Sequence, residues 1–169
     1  DDEKNIRITL TNILEDEGYE VVSYGSIAEG LSQIDDFDPD TILLDVKLPD
    51  GNGIDALGTI RQSLPKIPVI MISGNSSISD AVKAIKLGAF DFMEKPLSLP
   101  KIKITVKKAL DFYSLSLQLQ RMQNDSERAW KMIGNSPVMQ NLSSLITRVA
   151  PSNAKILIHG ESGTGKELI

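Results

Sequence analysis

The chain contains no cysteine in its 169 residues. That excludes disulfides and thiolate-held metals, and it fits a reducing, cytoplasmic setting. It has no apolar run near the ~18 residues that mark a membrane span, so no membrane partner is expected. No signal peptide is visible, and no recognition helix for DNA. Its single histidine, His159, reads as a strand-end residue rather than a base or ligand. Its single tryptophan, Trp130, reads as a packing anchor near a boundary rather than a stacking platform. What remains is ordinary globular material: 41% hydrophobic residues, in a length that allows one sizeable domain and part of another.

The net charge of −5 hides an asymmetry. Residues 1–100 hold 18 acidic and 8 basic side chains, whereas residues 101–169 hold 5 and 10. This pattern suits either two solvated surfaces of opposite sign, or an acidic cation-binding domain joined to a segment that meets phosphate. The basic Lys101, Lys103, Lys107 and Lys108 read as the solvated face of a helix. The chain reads as a piece of a longer protein. It opens on Asp1-Asp2-Glu3 with no strand before it, and it stops at Leu168-Ile169, where a helix should begin.

Apolar residues at helical spacing mark helices around Ile6–Leu14, Ile27–Ile34, Ile54–Ile60 and Ile78–Ile85, with Gly18 and Gly88 as C-terminal stops. Strands are expected at Tyr19–Tyr24, Thr41–Asp45, Ile67–Ile72 and Phe90–Glu94. The order (β)αβαβαβαβ predicts a doubly wound parallel five-stranded sheet whose first strand is largely missing. From Leu99 to about Asn124 there is no glycine, and the only proline is Pro100, at the start where a helix tolerates it. Val106, Leu110, Tyr113 and Leu117 alternate in spacings of four and three. The expectation is a short coiled-coil seam holding a dimer, with packing on the chain's own sheet as the alternative. The expected divisions are a first domain over 1–100, a linker helix over 101–131 and the truncated start of another domain over 132–169.

The chemistry-bearing residues fall at strand ends. The apolar run before Asp45 reads as a strand buried on both faces, and in such sheets ligands bind outside the carboxyl ends of the strands. Ser73 and Lys95 end the next two strands, and Pro96 is a candidate cis bond that aims the lysine inward. Asp1, Asp2 and Asp45 would then share one edge. Two carboxylates ~4 Å apart repel by roughly 4 kcal/mol at an effective dielectric of 20, so a cation is needed among them. Oxygen ligands of this kind suit Mg2+. An ionised Asp45 can attack a phosphoryl group, with Lys95 neutralising the charge that develops and Ser73 donating to the product.

Taken together, Asp1-Asp2-Glu3, Leu43-Leu44-Asp45 followed by Leu48-Pro49-Asp50-Gly51, Ile72-Ser73-Gly74 and Gly88–Pro96 resemble the receiver domain of two-component response regulators over residues 1–100. The resemblance implies a flavodoxin-like fold, with Asp45 as phosphoacceptor and Ser73 and Lys95 completing the catalytic set. It also implies that Asp2 and Asp45 bind Mg2+ directly, that Asp1 assists and that Lys47 contributes its backbone carbonyl. Ser73 and Phe92 would occupy the switch positions.

Gly160-Glu161-Ser162-Gly163-Thr164-Gly165-Lys166-Glu167 fits a P-loop, expected after a strand at Lys155–His159 and before a helix. Glycines let backbone N–H groups cradle phosphates, and Lys166 reaches the terminal ones. Glu167 stands where the general pattern has the Ser or Thr that holds magnesium. The motif resembles the ATP-binding loop of sigma-54-dependent activators, whose ATPase domain belongs to the AAA+ class. Residues 133–139, with Ile133 and Gly134, resemble the segment that packs the adenine there. These resemblances imply a response regulator of the nitrogen-regulator class. Its partners would be a sensor histidine kinase, further copies of itself, and sigma-54 RNA polymerase and DNA through regions absent here. This stretch ends before any Walker B acid or arginine finger and is not expected to hydrolyse ATP. The rival reading is a phosphorylation-independent dimerisation scaffold.

Overall fold

The computed structural model describes residues 1–74, 77–129, 132, 134, 136–152, 155–163 and 165–166. It comprises two compact units, Asp1–Gln118 and Leu119–Ile169.

The first unit is built on strands β1 (Ile42–Asp45), β4 (Val69–Ser73) and β5 (Asp91–Glu94), parallel and in the order β1-β4-β5. A small antiparallel hairpin, β2 (Lys47–Leu48) with β3 (Gly51–Asn52), follows β1 directly. The helices are α1 (Lys4–Glu15), α2 (Ile27–Phe37), α3 (Gly53–Ser63), α4 (Ile78–Lys86) and α5 (Leu99–Ala129), of which residues 99–118 belong to this unit. Local chemistry sets their ends. Ser26 caps α2 by accepting from the Glu29 N–H, and Asn52 caps α3 through Ile54. Ser77 and Asp80 form a reciprocal capping box at α4. Past α1, Gly18 takes φ +86°, the left-handed geometry expected of a helix stop.

The alternation of β4 explains the two-sided core. Val69 and Met71 pack with Leu44, Ile54, Leu57 and Ile60 on the α3 face. Ile70 and Ile72 pack with Leu10, Leu14, Ile102 and Val106 on the α1 and α5 face. All five β4 residues are buried, which is the doubly covered strand that its unbroken apolar run predicted.

The structure departs from the sequence expectation in three places within the two units. Tyr19–Tyr24 forms no strand, so the described parallel sheet has three of the four strands expected within this chain. No described segment lies in ladder with Tyr19–Tyr24. Instead, a cavity of about 540 Å³, lined by Leu10, Val21, Leu31 and Ile42 among others, opens between this segment and β1. Without a hydrogen-bonding neighbour an apolar alternation cannot become a strand. The proposed dimer seam also fails in its first half. Val106 is only 2% exposed and lies in the unit's own core, and Leu110 packs against that core. Among the described residues, the large apolar side chains that α5 leaves exposed are Leu99, Ile104, Phe112, Leu115, Leu119 and Met122.

In the second unit, α6 (Pro137–Val149) is capped by Ser136 and starts on a proline, as sequence rules favour. Lys155–His159 is not a strand, and Leu157 within it is 93% exposed. A lone apolar run with no neighbouring strand has nothing to pair with.

Candidate functional site

The register of the sheet builds the site. Asp45 pairs with Ile72 and Ser73 with Glu94, so the three strands finish nearly level. Asp45, Ser73 and Lys95 therefore meet at one edge. Asp45 is 3% exposed and Ser73 is equally buried. The Lys95–Pro96 peptide is cis, as the sequence suggested. The Lys95 N–H donates to the Ser73 carbonyl at 2.7 Å, which fixes the strand end.

Lys95 is the hub. Its Nζ lies 2.6 Å from Asp45 Oδ2, 2.9 Å from Glu3 Oε1 and 3.0 Å from Asp1 Oδ2. Burial works against its ammonium, but hydrogen bonds to Asp45 and Glu3 and the charges of both outweigh it. The Lys95 pKa is raised above the ordinary lysine value. The group thus stays cationic at any physiological pH. Asp45 Oδ1 accepts from the Lys47 N–H at 3.1 Å, so both carboxylate oxygens are oriented.

The acidic residues at the N-terminus form a compact set. One carboxylate oxygen each from Asp1, Asp2 and Glu3 lies within 4.8 Å of the others. Arg7 organises this segment by donating to the Asp1 and Asp2 carbonyls at 2.7 and 2.9 Å. Asp1 Oδ2 is buried, and the contact it makes there is with the Lys95 ammonium at 3.0 Å. Three carboxylates gathered in an all-oxygen donor set fit a hard divalent cation such as Mg2+. The sequence reading put Asp1, Asp2 and Asp45 together. In the structure Asp1 and Glu3 reach Asp45 through Lys95, and Asp2 is exposed beside them. Phe92 is half-buried on β5 against the α3-side core.

Sequence reasoning missed three contributors. Glu3 is a direct partner of Lys95. Gly53 lies so close to β1 that a Cβ there would stand 2.0 Å from the Asp45 carbonyl oxygen. Asp50 ties the hairpin to α2. The sequence held a signal for Gly53, a glycine opening a helix just after a turn, where close backbone approach is common.

In the second unit, Gly163 and Gly165 take φ +80° and +76°, and Lys166 Nζ donates to the Gly160 and Glu161 carbonyls. The loop curls around its own lysine. Gly160 through Gly163, Gly165 and Lys166 are described, and the strand expected before them is absent. Thr164, Glu167 and Ile133 lie outside the described residues, as does Trp130. Gly134 lines a cavity of about 320 Å³ with Met132, Met139, Gln140, Ser143 and Ser144.

Residues 1–107 match the response regulator receiver domain family, and residues 132–169 match the sigma-54 interaction domain family. The nitrogen assimilation regulatory protein NtrX of Azorhizobium caulinodans is 38% identical over 170 residues, covering 99% of this chain and 37% of that protein. The transcriptional regulatory protein ZraR of Escherichia coli is also 38% identical, over 100% of this chain and 38% of its own length. The crystal structure of NtrX from Brucella abortus in complex with ADP superposes with a TM-score of 0.70 at 37% identity, covering 99% of this chain and 38% of that one. The solution structure of the beryllofluoride-activated NtrC4 receiver domain dimer does so at 0.65 and 40% identity, over 67% of this chain and 93% of that one. The chain spans a little over a third of the curated relatives' length. With a receiver match across most of its length and a sigma-54 interaction match in the remainder, the chain belongs to the response regulator receiver family, in its nitrogen-regulator class.

Proposed function

We propose that this chain is the phosphoacceptor part of a two-component transcription regulator and that Asp45 accepts the phosphoryl group. The observation that carries this is the position of Asp45: buried at the end of β1, with one oxygen held by Lys95 Nζ and the other by the Lys47 N–H. A phosphohistidine on a sensor kinase is the donor. An Asp45 oxygen forms a bond to phosphorus, the P–N bond breaks, and the imidazole leaves with its electron pair and takes up a proton. Lys95 offsets the negative charge on the phosphoryl oxygens, and Glu3 and Asp1 hold Lys95 in place. The buried Ser73 hydroxyl supplies a donor for the acyl phosphate. Mg2+ would be held by Asp1, Asp2, Asp45 and the Lys47 carbonyl, and when bound it would supply charge neutralisation at the phosphoryl oxygens.

In the longer protein, the Gly160–Glu167 loop would take ATP, as suggested by the relative crystallised with ADP. Phosphorylation would then control a sigma-54-dependent ATPase and promoter DNA through segments beyond these residues. Self-association falls to the exposed α5 residues Phe112, Leu115, Leu119 and Met122. Their 3-4-3 spacing is that of a coiled-coil seam, and of the residues that flank it Ser116, Gln118 and Gln123 are uncharged and Asp111 is acidic. The solved dimer of a 40% identical receiver supports that partner.

The test is direct. The chain is incubated with acetyl phosphate and magnesium and its intact mass is measured. A gain of one base-labile phosphoryl group is expected, and none when magnesium is replaced by a chelator. Loss of the gain in Asp45→Asn, with the fold intact by circular dichroism, completes the assignment.

A further inference from the structure

The hairpin that follows Asp45 is fastened at both ends. At its near end the Lys47 N–H donates to Asp45 Oδ1 at 3.1 Å, and the Gly53 N–H donates to the Val46 carbonyl at 2.8 Å. At its far end Asp50 reaches 23 residues back along the chain. Its Oδ1 accepts from the Ile27 N–H at 3.0 Å and its Oδ2 from the Ala28 N–H at 2.8 Å. These are the first two N–H groups of α2, which have no partner within the helix. A carboxylate suits them twice over, as an acceptor and as an anion at the positive end of the helix. Gly51, next along the hairpin, leaves room for the Ile27 side chain, whose Cδ1 a Cβ there would meet at 3.3 Å.

A two-residue ladder is too short to hold its own position. Its anchor has to come from outside, and α2 offers two N–H groups, unpaired within the helix, at an end capped by Ser26. We propose that Asp50 is a positioning residue: by clasping the N-terminus of α2, it fixes the β2–β3 hairpin so that Lys47 holds Asp45 through its N–H and presents its carbonyl to the acidic site. Asp50 touches neither Asp45 nor Lys95. It acts through the hairpin backbone. The inference rests on the phosphoacceptor reading for its consequence in phosphoryl transfer, but the geometry of Lys47 can be measured without it.

The experiment uses the whole 169-residue chain. Asp50→Ala removes both acceptors, and Asp50→Asn leaves one. Ser26→Ala is the control, since it weakens the same end of α2 by removing the acceptor for Glu29 and touches nothing in the hairpin. Two quantities are read. The first is hydrogen exchange of the Lys47 amide without metal. The second is the magnesium concentration for half-saturation, in about 0.5 M salt, where a Debye length of about 4 Å screens the mere loss of a distant charge. Asp50→Ala should strip the Lys47 amide of its protection and raise the magnesium midpoint about tenfold, the usual cost of losing an outer partner of a metal ligand. Asp50→Asn should fall between, and Ser26→Ala should leave both readings at wild type. An unchanged Lys47 amide in Asp50→Ala overturns the proposal, and so do equal effects from Asp50→Ala and Ser26→Ala, which would reduce Asp50 to a helix cap. Failure of the wild-type chain to take up phosphate would remove the phosphoacceptor reading alone, with the Lys47 exchange still deciding the role of Asp50.

Discussion

The tightest constraint on the site comes from a residue with no side chain. A Cβ at Gly53 would sit 2.0 Å from the Asp45 carbonyl oxygen, inside any tolerable contact, and that atom is backbone and cannot swing away. Gly53→Ala must therefore push β1 or the start of α3. The expected cost is that of an overpacked core, about 1–3 kcal/mol in urea unfolding, with a slower gain of phosphate from acetyl phosphate. Wild-type stability in that variant would show that the strand yields freely. A second residue-scale prediction concerns acid. Hydrogen bonds from the Ser77 side chain and then its backbone lower the Asp80 pKa. A group with a depressed folded pKa contributes stability above its unfolded value, near ~3.9, and loses it as pH falls through the folded value. Asp80→Asn should thus be less stable than wild type at neutral pH, and the two should converge as pH drops below that range. A constant difference from pH 7 to acid, in thermal melts, would contradict the assignment.

At this scale the convergence of Asp45, Ser73 and Lys95 was legible. Asp45, Ser73 and Lys95 each end an apolar run, and strand register turns three sequence-distant ends into one edge. Glu3, Gly53 and Asp50 were not, for a common reason. Each acts on a partner that the chain brings near only in three dimensions, or on a backbone atom that carries no sequence label. Lys95 and Glu3, for instance, are 92 residues apart.

Among the elements, α5 shows what periodicity can and cannot settle. Ile102, Val106 and Ala109 recur at spacings of four and three, and all are buried against the sheet. Phe112, Leu115, Leu119 and Met122 keep the same rhythm and are exposed. The spacing alone is identical for a core stripe and a dimer seam, which is why the sequence left packing on the chain's own sheet open as the alternative for Val106 and Leu110. Burial separates them. Ile102→Ala should cost about 2–5 kcal/mol of unfolding free energy, as deletion of a core aliphatic does. Leu115→Glu, at a 55% exposed position, should leave stability within about 0.5 kcal/mol while lowering self-association in light scattering. If Leu115→Glu unfolds the chain, or leaves a dimer untouched, the exposed stripe is not the contact surface. The strands at Tyr19–Tyr24 and Lys155–His159 failed for a different reason. A strand requires a neighbour, and single-segment patterns carry no information on whether one is present.

At the scale of the whole molecule, charge is unevenly spread, acidic over residues 1–100 and basic over 101–169. The acidic first unit gathers carboxylates around one lysine, while the second curls a glycine loop around another. The family matches divide the chain in the same sense, with a receiver at 1–107 and a sigma-54 interaction domain from 132. The central claim is that the first unit takes a phosphoryl group on Asp45. The most direct measurement is reduction of the phosphorylated chain with borohydride, which converts an aspartyl phosphate to homoserine, followed by peptide mass mapping. Homoserine is expected at position 45 alone, and only after treatment with phosphodonor and magnesium. Homoserine at Asp1, Asp2 or Asp50, or none at position 45 in a chain that has gained phosphate, would contradict it.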